Sequence, residues 1–441
     1  MNLTLFNSID FLVVPLAIIF IMIIMSSIRR NQPEEIKKYF FLAFYLRILG
    51  TFSISAIYQY VYGYGDTFFY YYHTQVISSF FSKNITAWWQ ILINDPAGEN
   101  QFVLACMEKI GEIGYVNTLF FSVSENANIS KIGAIFNLVC FDSYLGISLF
   151  FSFFSFLGCW GIFRTFIKLY PGFNKEFAIL CLFLPSLWFW GNGILKDPLS
   201  LYGVGILVYN VYASPKHFIK RIILVVIGAL ILTNTKSYIL GAFAIAAILA
   251  FVINKIRNFN FIKRSASFLM IIGVFAVLYS SIANFVFEAF TDIIATSQAF
   301  LTSYDSVSNE GTGFVVATFD PTPFGFFVLS LEGLVNVFLR PFPWEIRKFV
   351  YLFSILENLL LYFILFKKIK PTDYEFPNTS VLFKTFCFIF FILLGIIIGV
   401  TTFNLGTISR YRVPALPFLF AGIFAYKVIK ANKKVTQNLS N

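Results

Sequence analysis

Four short stretches hold residues whose types and spacing suit chemistry. In LWFWGNGILKDPLSLYG (187–203), Lys196 and Asp197 stand side by side between two apolar runs. Asp as a helix cap followed by Pro198 at the first helical position is a common way to start a helix, with Lys196 reaching to the headgroups. The same atoms suit an anion, because a positive helix end and an ammonium group can share a phosphate. In YGYGDTFFYYYHTQ (62–75), Asp66 stands among glycines and aromatic residues. Apolar surroundings raise the pKa of a carboxyl and let it act as a base, and its oxygens also suit a divalent cation. The alternative is a turn aspartate followed by an interfacial belt of Tyr70, Tyr71 and Tyr72, although such an aromatic surround is also what a sugar ring packs against. His73 reads as an interfacial hydrogen-bonding residue rather than a ligand.

In FLRPFPWEIRK (338–348), Arg340, Arg347 and Lys348 gather positive charge beside a stiff, proline-rich backbone. Arginine suits bidentate phosphate recognition. The alternative is a rigid turn anchored by Trp344, with Glu345 paired to an arginine. In TISRYRVPALPFLFAG (407–422), Arg410 and Arg412 open an apolar run. Phosphate binding and pairing with Asp197 or Asp66 are both open to them.

The elements that must position these residues follow from hydropathy. The chain has 441 residues, of which 58% are hydrophobic and only 12% charged, and its mean hydropathy is +0.77. A soluble domain carries roughly a quarter charged residues, so this chain has too few to cover itself in water. Apolar runs fall at about 10–28, 39–60, 143–163, 177–191, 198–214, 218–233, 238–254, 266–287, 349–366, 380–401 and 413–428. Most approach the ~20 residues that a bilayer requires. The expected fold is therefore all-α, a polytopic helical membrane protein of about eleven transmembrane helices, ten to twelve. It reads as one integral membrane domain over 1–441, with long segments outside the membrane at 61–142 and 288–348. The first apolar run is long and lacks a small-residue cleavage site, so it reads as a retained helix rather than a signal peptide.

Most of the 33 basic residues cluster beside alternate ends of these runs, for example Arg29, Arg30, Lys37 and Lys38, then Arg164, Lys168 and Lys175. The positive-inside tendency assigns those connections to the cytoplasm, the N-terminus to the outside and the C-terminus to the inside. Both long segments then face outward, along with Asp66, Lys196, Arg340, Arg347, Arg410 and Arg412, and ITAWWQILI (85–93) reads as an interfacial helix. The net charge of +11 is spread in short clusters. That is the pattern of topology signals, not of a nucleic-acid surface. Five cysteines lie mostly inside apolar runs without CxxC spacing, so neither a disulfide framework nor a zinc site is indicated. Arg47 and Glu357 fall inside apolar runs, where ionisable groups pair or line a polar cavity; they are expected to meet.

Many spans, a large first outer loop bearing an acid, and an arginine-rich start to a late span resemble the C-type membrane glycosyltransferase superfamily. GDTFFYYYHTQ is similar to its acidic loop and RYRVPALPFLFAG to its late-span motif. The resemblance implies a polyprenyl-(pyro)phosphate-linked sugar donor, a glycan or lipid-linked acceptor, and a cytoplasmic membrane, bacterial in type, with the active face outside. It implies that Asp66 is the base or metal-organising acid. Arg410 and Arg412 would steady the departing phosphate, with Lys196, Arg340 and Arg347 as further candidates. The sequence departs from the pattern in two ways: an extra span precedes the acidic loop, and no second acid adjoins Asp66. A surface-polysaccharide polymerase or ligase is the near alternative, and a lipid or small-molecule transporter the alternative of a different class.

Overall fold

Backbone that crosses lipid must satisfy its polar groups internally, and an α-helix does so within one segment. The computed structural model describes residues 4–214, 217–257, 322–345, 351–371, 374, 376–402 and 404–440, and every regular element among the described residues is helical. Six helical segments there are long and apolar enough to cross a membrane: Asp10–Arg30, Glu34–Tyr62, Tyr144–Leu169, Ser237–Arg257, Thr379–Thr401 and Leu405–Asn432. The remaining expected spans differ for local reasons. The run 177–191 is divided into Asn174–Leu182 and Pro185–Trp190, because a proline ring and its restricted predecessor interrupt a helix. Residues 218–233 and 351–366 form helices of 16 residues each. The run 266–287 lies outside the described residues, as does most of 288–348.

The chain forms two compact units, Met1–Leu240 and Gly241–Asn441. In the first, α1 (Asp10–Arg30) and α2 (Glu34–Ile57) lead through a π-turn, Tyr58–Tyr62, to Gly63, whose φ of +69° ends the helix. Five helices follow: α3 (Asp66–Lys83), α4 (Ile85–Ile93), α5 (Gln101–Gly111), α6 (Tyr115–Ser122) and α7 (Ser124–Cys140). Asn84 and Asn100 cap α4 and α5 by accepting from backbone N–H groups one turn on, which satisfies donors that a helix start leaves open. This group has an apolar core of its own, built on Val76, Ile77, Trp88, Ile91, Cys106, Ile110, Phe121, Ala127 and Ala134.

Helix α8 (Tyr144–Leu169) is the buried axis of the first unit. It runs in the same direction as α11 (Lys196–Val208), after the short α9 (Asn174–Leu182) and α10 (Pro185–Trp190). Glycine permits the contact between α8 and α11: a Cβ at Gly158 would lie 2.2 Å from the Leu201 carbonyl oxygen, and one at Gly205 would lie 2.1 Å from that of Gly158. Then come α12 (Phe218–Thr233) and the start of α13 (Ser237–Arg257).

The heads of α1, α3, α8, α11 and α13 gather at one pole. Ser143, before α8, donates to Asp10 of α1 at 2.5 Å, and Thr67 of α3 meets the Tyr144 hydroxyl at 2.8 Å and the Ile194 carbonyl at 3.2 Å. The tails of α1, α8 and α13 carry Arg29 and Arg30, Lys168, and Lys255 and Arg257 respectively.

In the second unit, α14 (Pro323–Phe338) packs on α16 (Thr379–Thr401) where Gly333 and Gly399 let the backbones touch. Phe386 and Phe390 of α16 interlock with Phe418 of α18 (Leu416–Ser440) at centroid separations of 5.9 and 4.9 Å. Between these helices in the chain are α15 (Tyr351–Phe366) and the short α17 (Leu405–Tyr411).

Candidate functional site

The head pole of the first unit collects charge that the sequence scatters over 170 residues, from Asp66 to Lys236. Asp197, in the first turn of α11, is fully buried and accepts from the Lys236 Nζ at 2.6 Å; the two side chains are 0% and 4% exposed. Lys196 turns the other way and meets Glu125, the second residue of α7, at 3.1 Å. The other oxygen of Glu125 accepts from the Ser237 hydroxyl at 2.9 Å and the Ser237 N–H at 3.3 Å, at the head of α13. Asn128, one turn along α7, donates to the Asn234 carbonyl and side chain at 3.3 and 3.1 Å. The α12–α13 turn is thus tied both to α7 and to the start of α11.

Asp66 is the partly exposed first residue of α3. Its neighbour Thr67 fixes it beside the chain leading into Lys196, and its charge is the smallest of the influences on the Lys196 ammonium. Burial pushes the pKa of Lys196 below the ordinary lysine value. Glu125, by charge and hydrogen bond, and Asp66, by charge, oppose that shift, and Lys236 adds to it. The two residues singled out separately in the sequence, Asp66 and Lys196, therefore belong to one electrostatic site.

The aromatic neighbours of Asp66 are not a belt on the surface. Tyr70 and Tyr71 are buried posts: the Tyr70 hydroxyl donates to the Asn126 side chain at 3.2 Å, and the Tyr71 hydroxyl to the Asp142 carbonyl at 2.5 Å. Burial and the nearby Asp142 charge raise the pKa of Tyr71 far above its usual value. His73 is buried among Phe69, Phe120 and Phe121, with the Phe121 centroid 5.3 Å away. Burial pushes its pKa down to about 3 against a smaller upward pull from Asn117, so the imidazole is neutral and supports the fold.

The arginines of the second unit are engaged by their own helices. Arg340 is bound by both oxygens of Glu345 and donates to the Asn336 side chain at 3.2 Å, as the rigid-turn alternative expects. Arg412 is fully buried, donating to the Val337 carbonyl at 2.9 Å, the Arg340 carbonyl at 3.2 Å and Glu357 at 3.4 Å. It thus closes the tail of α14, where carbonyls lack helical partners. Arg410 is also buried, with its guanidinium 6.0 Å from the Tyr411 ring centroid. Arg347 lies outside the described residues.

Arg47 and Glu357, expected to meet, each take partners within their own unit. Glu357 takes Arg412. Arg47 donates to Ser155 at 2.9 Å, to Cys159 at 2.9 Å and to the Leu187 carbonyl at the end of α10. Asp197 takes Lys236 as its ion-pair partner.

The head-pole cluster sets the acids Asp66, Glu125 and Asp197 against the ammonium groups of Lys196 and Lys236. The carboxylates of Glu125 and Asp197 already share their oxygens with ammonium and hydroxyl donors, and among the described residues no three His, Cys, Asp or Glu side chains come together to hold a metal ion. Sequence reasoning missed Glu125, Lys236 and Ser237. The only signal was positional: Glu125 opens a helix, and Lys236 and Ser237 sit in a short turn between two apolar runs. No family model, curated protein or solved structure matches the chain.

Proposed function

We propose that the chain is a membrane-embedded glycosyltransferase that takes a sugar from a polyprenyl-(pyro)phosphate donor at the extracytoplasmic face, in the assembly of a cell-surface glycan. The observation that carries this reading is the juxtaposition of a partly exposed carboxylate, Asp66, with the Lys196 ammonium at the pole opposite the basic clusters. The Asp66 carboxylate takes the proton from the acceptor hydroxyl as its oxygen attacks the anomeric carbon. The bond from that carbon to the phosphate oxygen breaks, and the phosphate leaves with the bonding pair, its charge met by Lys196. Glu125 holds Lys196 in place, and the Asp197–Lys236 pair fixes the start of the helix that carries it.

The polymerase or ligase alternative relies on arginines, and Arg340 and Arg412 are already committed to carbonyls and carboxylates. The transporter alternative draws on a different observation, the deeply buried Asp197–Lys236 pair, since intramembrane charge pairs recur in ion pathways.

The test profiles surface glycans and lipid-linked intermediates in the native host after deletion, then after complementation with wild type, Asp66→Asn or Lys196→Ala at matched expression. The proposal expects a glycan lacking a sugar on deletion, restored by wild type and by neither variant. Accumulation of single-unit glycans would favour a polymerase. Unchanged glycans, or full rescue by Asp66→Asn, would overturn the enzyme reading in favour of transport.

A further inference from the structure

Helix α7 is tied at both ends to the heads of spans. Glu125 at its start is bound by Lys196 of α11 and Ser237 of α13. At its end, Phe141 and Asp142 adopt left-handed φ values of 47° and 62°, and Ser143 then caps α8 while bonding to Asp10 of α1. Two left-handed non-glycine residues in succession are costly, and here Asn137 holds them by a two-way bond to Asp142 at 2.6 and 2.8 Å. With both ends at one pole, α7 runs across that pole rather than along the spans.

The second half of α7 reaches below the heads. Phe136 stacks on Phe150 of α8 at 4.8 Å and 8°, and touches Phe151 and Phe154 at 6.3 and 5.9 Å. Phe150 is six residues into α8, about 9 Å below its first residue at the helical rise. Phe150 in turn meets Phe20 of α1 at 6.2 Å. Phe20 belongs to the exposed apolar face of a span, with Leu12, Leu16, Ile19 and Ile23. The underside of α7 is therefore continuous with a surface that only lipid chains suit.

Beside Phe136, the exposed positions on the second half of α7 and its end are Ile135 at 47%, Val139 at 61% and Phe141 at 68%, followed by the exposed Asp142. The opposite face is buried against α3, where Gly133 meets Thr74, and Lys131 is drawn inward to the Asn94 carbonyl at 2.6 Å. No charged residue lies between Lys131 and Asp142. Such a stripe facing water would be costly, whereas an in-plane helix buries it several ångströms into the headgroup and acyl boundary.

We propose that the second half of α7 is an in-plane membrane helix, seated in the leaflet at the Asp66 pole with Ile135, Val139 and Phe141 against acyl chains. Its start then holds Glu125 and Lys196 at headgroup depth. The seat stands on packing alone and does not depend on the glycosyltransferase reading.

The test places nitroxide labels on Ile135→Cys and Val139→Cys in the full-length protein, in nanodiscs of phosphatidylethanolamine and phosphatidylglycerol. The five native cysteines are buried, and unlabelled wild type sets the background. Power saturation compares accessibility to oxygen, which partitions into lipid, with accessibility to a water-soluble nickel chelate. Leu16→Cys on α1 gives the lipid reference and the exposed Glu99→Cys the aqueous one. The proposal expects both α7 sites to match Leu16→Cys, with an oxygen-to-nickel ratio several-fold above that of Glu99→Cys. A ratio like that of Glu99→Cys would overturn it. Spin–spin broadening that grows with protein-to-lipid ratio would overturn it in favour of a second copy covering the stripe. Either α7 site suffices if the other variant fails to fold.

Discussion

Replacing Lys236 with Met tests the buried pair on which the head pole is built. The Asp197 carboxylate is fully buried and 2.6 Å from the Lys236 Nζ. Lys236→Met keeps the length and the apolar stem and removes the charge, so a carboxylate remains in a site without water. Breaking a buried ion pair by deleting one partner costs about 3–5 kcal/mol. The position of Asp197 in the first turn of α11 compensates in part, since the helix dipole there is worth roughly 0.3–2 kcal/mol to an acid. The net expectation is a loss of about 3 kcal/mol, on the order of a hundredfold in the folded-to-unfolded ratio. Asp197→Asn leaves the ammonium on a long flexible stem that can carry it toward the polar surface, so its cost is expected to be smaller. The double variant removes both charges and is expected to fall within about 1 kcal/mol of wild type, since matched neutral replacements of a buried pair are often neutral. The assay is a double-mutant cycle on the full chain in detergent, followed by reversible chemical unfolding. A loss under about 1 kcal/mol for Lys236→Met, or a double variant no more stable than the worse single, would refute the reasoning.

Two further expectations concern packing and acid. His73 has a pKa near 3 in the fold against about 6.5 unfolded, so between those values the unfolded chain binds a proton that the folded chain refuses. Stability is then complete above about pH 6.5 and falls as pH drops, by about 2–3 kcal/mol at pH 4.5. His73→Leu is expected to flatten that dependence in unfolding curves taken across pH 4.5 to 7, and an unchanged slope would assign it to other groups. Gly158→Ala would place a Cβ 2.2 Å from a backbone oxygen of α11. The two helices must separate, at a cost of about 1–3 kcal/mol or more, read as lower thermal stability; a neutral Ala would mean that α8 and α11 pack less closely.

The membrane class and most long helices were legible, because apolar length and basic flanks are written directly in the chain. Where the reading fell short, the cause was local. Pro185 splits one expected span. Charge pairing was the least legible feature. Lys236 reaches Asp197 across 39 residues and Lys196 reaches Glu125 across 71, and such partners are chosen by helix packing, to which residue types are blind. Arg47 shows the limit clearly. An acid was the natural partner to expect, yet the broken helix at Pro185 presents the Leu187 carbonyl, and Ser155 and Cys159 supply the rest.

One part of the site does follow from a rule visible in the sequence. Asp10 is the first residue of α1, Asp66 of α3, and Glu125 and Asp197 are each the second residue of their helices. Acids favour helix starts because the first N–H groups carry partial positive charge. Any topology that brings several helix heads to one pole therefore delivers their first-turn acids to the same place. Those acids then need cations, and Lys196 and Lys236 answer Glu125 and Asp197 there. Asp66 and Glu125 are both partly exposed, and both bear on Lys196, Glu125 by contact and charge and Asp66 by charge. The helix dipole explains why an acid stands in the first turn of each helix. It does not explain why two of them, Asp66 and Glu125, bear on one lysine, and that convergence is why Asp66 is the first residue to test.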